Sequence, residues 1–170
     1  MLIGDRLLVE AEALLAACRE RHIRLATAES CTGGLIAAVL TAIADSSDIF
    51  DRGFVPYSNE AKQDLLGVQM TMIQTHGAVS EEVAQAMAVG ALSRSRATIA
   101  ISVTGVAGPG GGNAEKPVGT ICFGLAEKGK AAVSERRVFS GDRNGIREAA
   151  VGHIFAMIRS RVQAPTEPGR

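Results

Sequence analysis

The sequence predicts an α/β protein, a single-domain mixed β-sheet covered by helices. Three observations point there. Helical periodicity alternates with short extended runs through the first two-thirds of the chain. The run "ATIAISVTG" (97–105) is apolar on both faces, as in a strand buried between helix layers. Two strand-like runs near the end flank Lys128-Gly129, which reads as an antiparallel hairpin. With 170 residues, no internal repeat and no linker-like stretch, one domain over 1–163 is expected, and 164–170 reads as a frayed tail.

Each element has its own warrant. Leu7, Leu8, Ala11, Leu14, Leu15 and Cys18 recur at helical spacing and predict an amphipathic helix over 4–21. "IRLATAE" is a short strand, followed by a buried helix over 31–44. "SSDIFDRGFVPYS" turns and then extends, with Pro56 marking an edge position or a strand end. "NEAKQDLLG" is a short helix stopped by Gly67, and "TMIQTHG" is another. Val83, Ala84, Met87, Ala88 and Ala91 form a helix behind a Ser80 cap. After the buried strand comes a glycine-rich segment, Gly105 to Gly119, then the hairpin "TICFGLAE" and "AVSERRVF". Ile146, Ala150, His153, Ile154, Met157 and Ile158 place a last helix over 143–161.

Composition narrows the function. Lys plus Arg and Asp plus Glu number 18 each, with no dense basic run, so nucleic-acid binding has no electrostatic footprint. No apolar run approaches the roughly 20 residues of a membrane span, and acidic residues interrupt the amino terminus where a signal peptide would be apolar. Cys18, Cys31 and Cys122 lack metal-ligand spacing and are too few for a disulfide framework. A cytoplasmic protein with reduced thiols, no metal and no membrane partner is expected. Homo-oligomerisation is expected from the sheet edge and short helices.

Three segments hold candidate chemistry. In "TAESCTGGLIAAVL", Ser30 stands where strand meets helix. It reads either as a helix N-cap or as a nucleophile beside the orphan amides of Cys31, Thr32 and Gly33, which suit a phosphate or an oxyanion. Gly33 and Gly34 leave the backbone open to a ligand and are poor helix formers. Cys31 is a second possible nucleophile, since a helix N-terminus lowers a thiol pKa. In "VPYSNEAK", a Ser58 cap would set Tyr57 against Lys62 at the two positions of a hydrophobic staple. The positive helix end and the neighbouring phenol would favour a neutral lysine able to act as base; a lysine lying over a tyrosine in solvent fits the same spacing. In "TGVAGPGGGNAEKPVGT", Thr104 and Gly105 stand at the strand end, where α/β sheets place ligands; the segment is neither a Walker loop nor a dinucleotide fingerprint. Arg143 and Arg147, one helical turn apart, suit either a phosphate or a solvated face. His153 reads as a core histidine and His76 as a helix-end residue.

The ordered set "TAESCTGG", "GFVPYSNEAK", "LLGV", "HGAVSEEVA", "SVTGVAGPGGG", "KPVGT" and "FSGDR", spread over about residues 5–160, resembles the carboxy-terminal CinA family. Its stand-alone members include nicotinamide mononucleotide amidohydrolases. The resemblance implies an α/β hydrolase converting nicotinamide mononucleotide to nicotinic acid mononucleotide and ammonia, without a cofactor. The family's serine falls on Ser30, its lysine on Lys62 and its tyrosine on Tyr57, which ranks Ser30 above Cys31 as nucleophile and gives a catalytic set in which Lys62 is the base and Tyr57 orients it or relays the proton. Ligand contacts are then expected from Cys31, Thr32, Gly33, Gly34, Asn59, Thr104, Gly105 and Arg143, around a small-molecule nucleotide. A non-catalytic nucleotide-binding module linked to competence or DNA damage is the alternative. Pro56 and Gly110 depart from the family pattern, the first at an expected small polar or β-branched residue and the second at an expected acidic one.

Overall fold

The computed structural model describes residues 3–164; the expectation for the tail therefore falls, beyond residue 164, outside the described residues. Five strands form one mixed sheet in the order β2-β1-β3-β4-β5. Strand β1 (Leu25–Glu29) lies parallel to both β2 (Phe50–Phe54) and β3 (Ile99–Gly105). Strands β4 (Thr120–Glu127) and β5 (Val133–Val138) add antiparallel to β3 as the expected hairpin, whose turn places Gly129 at φ 78°. Strand β2 is an edge and ends before Pro56, as that proline requires.

The two faces of the sheet carry side chains of different size. Leu25, Ile99, Ile101, Val103, Ile121, Phe123 and Leu125 pack against α1 (Asp5–Glu20), α2 (Leu35–Thr41) and α6 (Arg143–Gln163) in the larger core. On the other face Ala26, Ala28 and Ala100 meet α3 (Asn59–Leu66), α4 (Met70–His76) and α5 (Glu81–Ser93). The period-2 alternation of large and small residues thus sets how near each helix layer can approach.

Helix α2 corrects the sequence reading. It spans seven residues rather than 31–44, and its N-cap is Gly34, in left-handed conformation at φ 94°. Residues 30–34 form a turn ahead of it, with Gly33 also at positive φ (58°). Backbone conformation thus accounts for the glycine pair, since L-residues with a Cβ rarely adopt it. A short 3-10 turn, Ser46–Asp48, leads into β2.

Candidate active site

Ser30 continues β1 for one residue: its amide donates to the Val103 carbonyl of β3 at 2.9 Å. It is therefore held by the sheet, and it is not the helix cap. The capping is done by Glu29, a fully buried carboxylate the sequence reading did not single out. Its Oε2 accepts from the Gly34 amide (3.1 Å), the Ile36 amide (2.9 Å) and Thr32 Oγ1 (2.7 Å), and its Oε1 accepts from the Ala37 amide (2.8 Å). Burial pushes the Glu29 carboxyl above the usual range, while these four donors pull it back. The positive end of α2 is already occupied by protein. Among the described residues the turn amide of Thr32 has no acceptor and that of Cys31 meets only its own sulfur, whereas Gly33 donates to the Ser30 carbonyl at 3.1 Å. The one sequence signal for Glu29 was a charged residue closing an apolar strand.

Lys62 comes from the opposite side of the sheet. Ser58 caps α3, its side chain accepting from the Ala61 amide at 3.0 Å, so Lys62 is the fourth residue of the helix. A tight turn about Pro56, closed by the Tyr57 amide on the Val55 carbonyl at 2.9 Å, sends the chain back over the lysine. Lys62 is only 2% exposed. Its Nζ lies 3.1 Å from the Pro56 carbonyl, 3.2 Å from the Tyr57 carbonyl and 3.2 Å from Ser30 Oγ. Among the described residues no carboxylate pairs with it, and burial lowers its pKa below the ordinary 10.5. A neutral amine has two N–H groups and one lone pair, which match two carbonyls and a serine hydroxyl.

Tyr57 meets the lysine differently from the expected phenol contact. Its carbonyl accepts from Nζ, while its side chain is 62% exposed and forms part of the cavity wall. Cys31 also lines the cavity, but burial pushes its thiol up to about 12, opposite in sign to a helix-end activation.

The cavity, about 210 Å³, opens at the carboxyl ends of β1 and β3. Ser30, Cys31, Tyr57, Asn59, Lys62, Thr104, Gly105 and Arg143 all line it. Ala78, Val79 and Ala107, absent from the sequence reading, complete it. Thr104 is fixed by donating its hydroxyl to the Ala78 carbonyl at 2.9 Å, and Arg143 by donating to the Gly108 carbonyl at 2.7 Å. Lys62 and Arg143 are the charged residues in the lining. Thr32, Gly33 and Gly34 lie behind the wall rather than in it. Arg147 turns from Arg143 and donates to the Thr32 carbonyl at 2.7 Å. Neither histidine on which the sequence raised a question reaches the cavity. His153 pairs with Glu135 and packs on Phe123 at 4.6 Å between ring centroids, and His76 faces Glu82 at 3.4 Å. Among the described residues no group of His, Cys, Asp or Glu could hold a metal ion, and no helix is long and apolar enough to cross a membrane.

Comparison with known proteins agrees with this architecture. Residues 9–162 match the CinA C-terminal domain. A CinA-like protein of Syntrophobacter fumaroxidans is 55% identical over 132 residues, 78% of this chain but 31% of that protein. The chain thus spans about a third of the length of that longer relative. A nicotinamide-nucleotide amidohydrolase PncC of Escherichia coli K12 is 49% identical over 139 residues, 82% of this chain and 84% of that one. The crystal structure of competence/damage inducible protein CihA from Agrobacterium tumefaciens superposes with a TM-score of 0.91 at 43% identity, covering 96% of this chain and 99% of that one. The mixed five-stranded sheet, the ordered motifs and these matches place the chain in the CinA C-terminal domain family.

Proposed function

We propose that the protein is a nicotinamide-nucleotide amidohydrolase that uses Ser30 as nucleophile and Lys62 as general base. The observation that carries this reading is a buried lysine without a counter-ion, 3.2 Å from a serine hydroxyl held at a strand end. Relatives named for that activity match over most of their own length. A lysine directed into solvent would have favoured the binding-module alternative; this one is directed at Ser30.

Neutral Lys62 takes the proton of Ser30 as Oγ attacks the carboxamide carbon of nicotinamide mononucleotide. The carbonyl oxygen becomes an oxyanion, for which the amide of Cys31, with that of Thr32 behind it, supplies donors. Lys62 then returns the proton to the departing nitrogen, and ammonia leaves an acyl ester on Ser30. Water, deprotonated by the same lysine, hydrolyses the ester and releases nicotinic acid mononucleotide. The Pro56 and Tyr57 carbonyls hold the amine in place through both proton transfers. Arg143 faces the substrate phosphate, since among the described residues the other charged one in the wall is Lys62. Tyr57 offers its ring to the pyridine, and Asn59, Thr104 and Gly105 supply polar wall atoms.

Ammonia release from nicotinamide mononucleotide tests the proposal. The parent protein should release it, and Ser30→Ala and Lys62→Ala should each lose at least about 100-fold in kcat, as expected when nucleophile or base is removed. Undiminished release by folded Ser30→Ala would overturn the nucleophile assignment. Binding of the nucleotide without turnover would establish the recognition module instead.

A further inference from the structure

We propose that Glu29, Thr32 and Arg147 form a clamp that positions the Ser30 turn, keeping the Cys31 and Thr32 amides pointed at the developing oxyanion. The inference rests on the Ser30 reading and adds three positioning residues to it. None of the three lines the cavity with its side chain; of the three, only the Thr32 backbone amide, behind the Cys31 wall, is offered to the oxyanion.

Thr32 is the fixed point. It has no exposed surface, and the protein holds it from two sides. Its Oγ1 donates to Glu29 Oε2 at 2.7 Å. Its carbonyl accepts from Arg147 Nη2 at 2.7 Å and from the Leu35 amide at 3.1 Å. The polar atom of Thr32 left without an acceptor among the described residues is its own amide, beside the amide of Cys31, which meets only its own sulfur. An unpaired buried amide is costly and rare, and one next to a weakly held neighbour in the turn that carries a nucleophile suits an oxyanion.

The clamp is needed because the turn is otherwise weakly determined. Gly33 and Gly34, both at positive φ, fix little by themselves, having more accessible backbone states than other residues. Glu29 spans them, binding Thr32 on one side and the Gly34, Ile36 and Ala37 amides on the other. By satisfying the α2 amides, Glu29 also removes a competing place for the oxyanion to settle. Arg147 holds the far side of the turn from α6 through Nη2, while its Nε is buried without a partner among the described residues.

Steady-state kinetics on nicotinamide mononucleotide separate positioning from mere stability. Thr32→Val is close to isosteric and deletes only the hydroxyl that Glu29 accepts; Arg147→Gln deletes the hold on the carbonyl. Each should lower kcat by about 10- to 100-fold with KM within about twofold, as for donors misplaced by a fraction of an ångström. Thr32→Ser, which retains the hydroxyl, should restore most of the loss. The acid limb of the kcat/KM profile should stay where Lys62 sets it, because the clamp does not touch the lysine. Glu29→Gln should be as slow or slower, since its amide group would turn an N–H donor toward other donors; should it not fold, the other two variants still decide. Folded Thr32→Val and Arg147→Gln with kcat within about twofold of the parent would overturn the clamp, as would a loss expressed only in KM. Ser30→Ala in the same series distinguishes the failures: turnover retained there rejects the nucleophile, whereas turnover lost there but retained in the clamp variants rejects the clamp alone.

Discussion

A lysine that is 2% exposed and forms no ion pair with a carboxylate among the described residues carries a desolvation cost whenever it is charged. In the proposed reaction the same cost would serve the chemistry, because it lowers the Lys62 pKa and so eases the amine's part as base toward the serine proton. The sign follows from linkage. Below the folded-state pKa the amine is protonated in both states, and the cost of burying charge is fully present. Between that value and 10.5 the unfolded chain binds a proton that the folded chain does not, so stability rises with pH. Above 10.5 both states are neutral and the penalty is gone. Lys62→Met removes the titration while keeping most of the apolar stem. The stability of the parent relative to Lys62→Met should therefore increase with pH and level off near 10.5, read as a difference of denaturant midpoints. A pH-independent difference would mean that the lysine is hydrated in the folded state. The acid limb of kcat/KM should likewise fall below 10.5.

Helix α5 is positioned by the small residues beneath it. A Cβ placed on Gly124 would lie 2.3 Å from the Ala84 carbonyl oxygen and 2.6 Å from Ser102 Oγ, whose hydroxyl itself donates to Ala84 at 2.5 Å. Gly124→Ala must push α5 off the sheet, which should cost about 1–3 kcal/mol by overpacking. Gly110→Ala, where a Cβ meets nothing within 4 Å, should leave the denaturant midpoint unchanged. Equal midpoints for the two variants would refute the close packing of α5. This intimacy between helix and sheet was only half legible in the sequence. The apolar periodicity of α5 and the doubly buried β3 could be read directly, because both are local patterns. The Ser58 cap and the fourth-residue place of Lys62 were local too, and the Lys62 side chain does approach Tyr57, though at its carbonyl. The boundary of α2 was not legible. Ser30 looked like the cap because a small polar residue before an apolar run usually is one. The cap function went instead to Glu29, which reaches five to eight residues along the chain only because the turn folds back on its strand. Arg147 was visible as a charge one turn from Arg143, but its partner lies 115 residues earlier, a contact that only the tertiary fold creates.

On the scale of the whole molecule, the site occupies the place where chain direction divides. From β1 the chain crosses by way of α2 to β2 at one edge, then returns through α3, α4 and α5 to β3 on the other side of β1. Helix α2, entered from the carboxyl end of β1, packs in the larger core and α3 to α5, entered from that of β2, in the smaller, so the connections depart to opposite faces beside the carboxyl ends of β1 and β3 where the crevice lies. Ligands of open α/β sheets collect at such a point. Ser30, Thr104 and Gly105 stand there because of the strand order, while Lys62 is brought in from the return path. The three cysteines sample all of this architecture: Cys18 in α1 under the larger core, Cys31 at the crevice, and Cys122 on β4. All three are free and buried, and burial pushes Cys18 and Cys31 up to about 12 and Cys122 up to about 11. Thiolate, the form that reacts with a disulfide reagent, is therefore scarce at neutral pH in the folded protein. An aromatic disulfide reagent should modify none of the three rapidly in the native state and all three at once in denaturant. Across increasing denaturant, the native-state labelling rate should rise together for all three as the fold opens as one unit. Rapid native labelling confined to Cys31 would show instead that the crevice opens separately from the two cores, and that the wall beside Ser30 is not held as closely as its hydrogen bonds require.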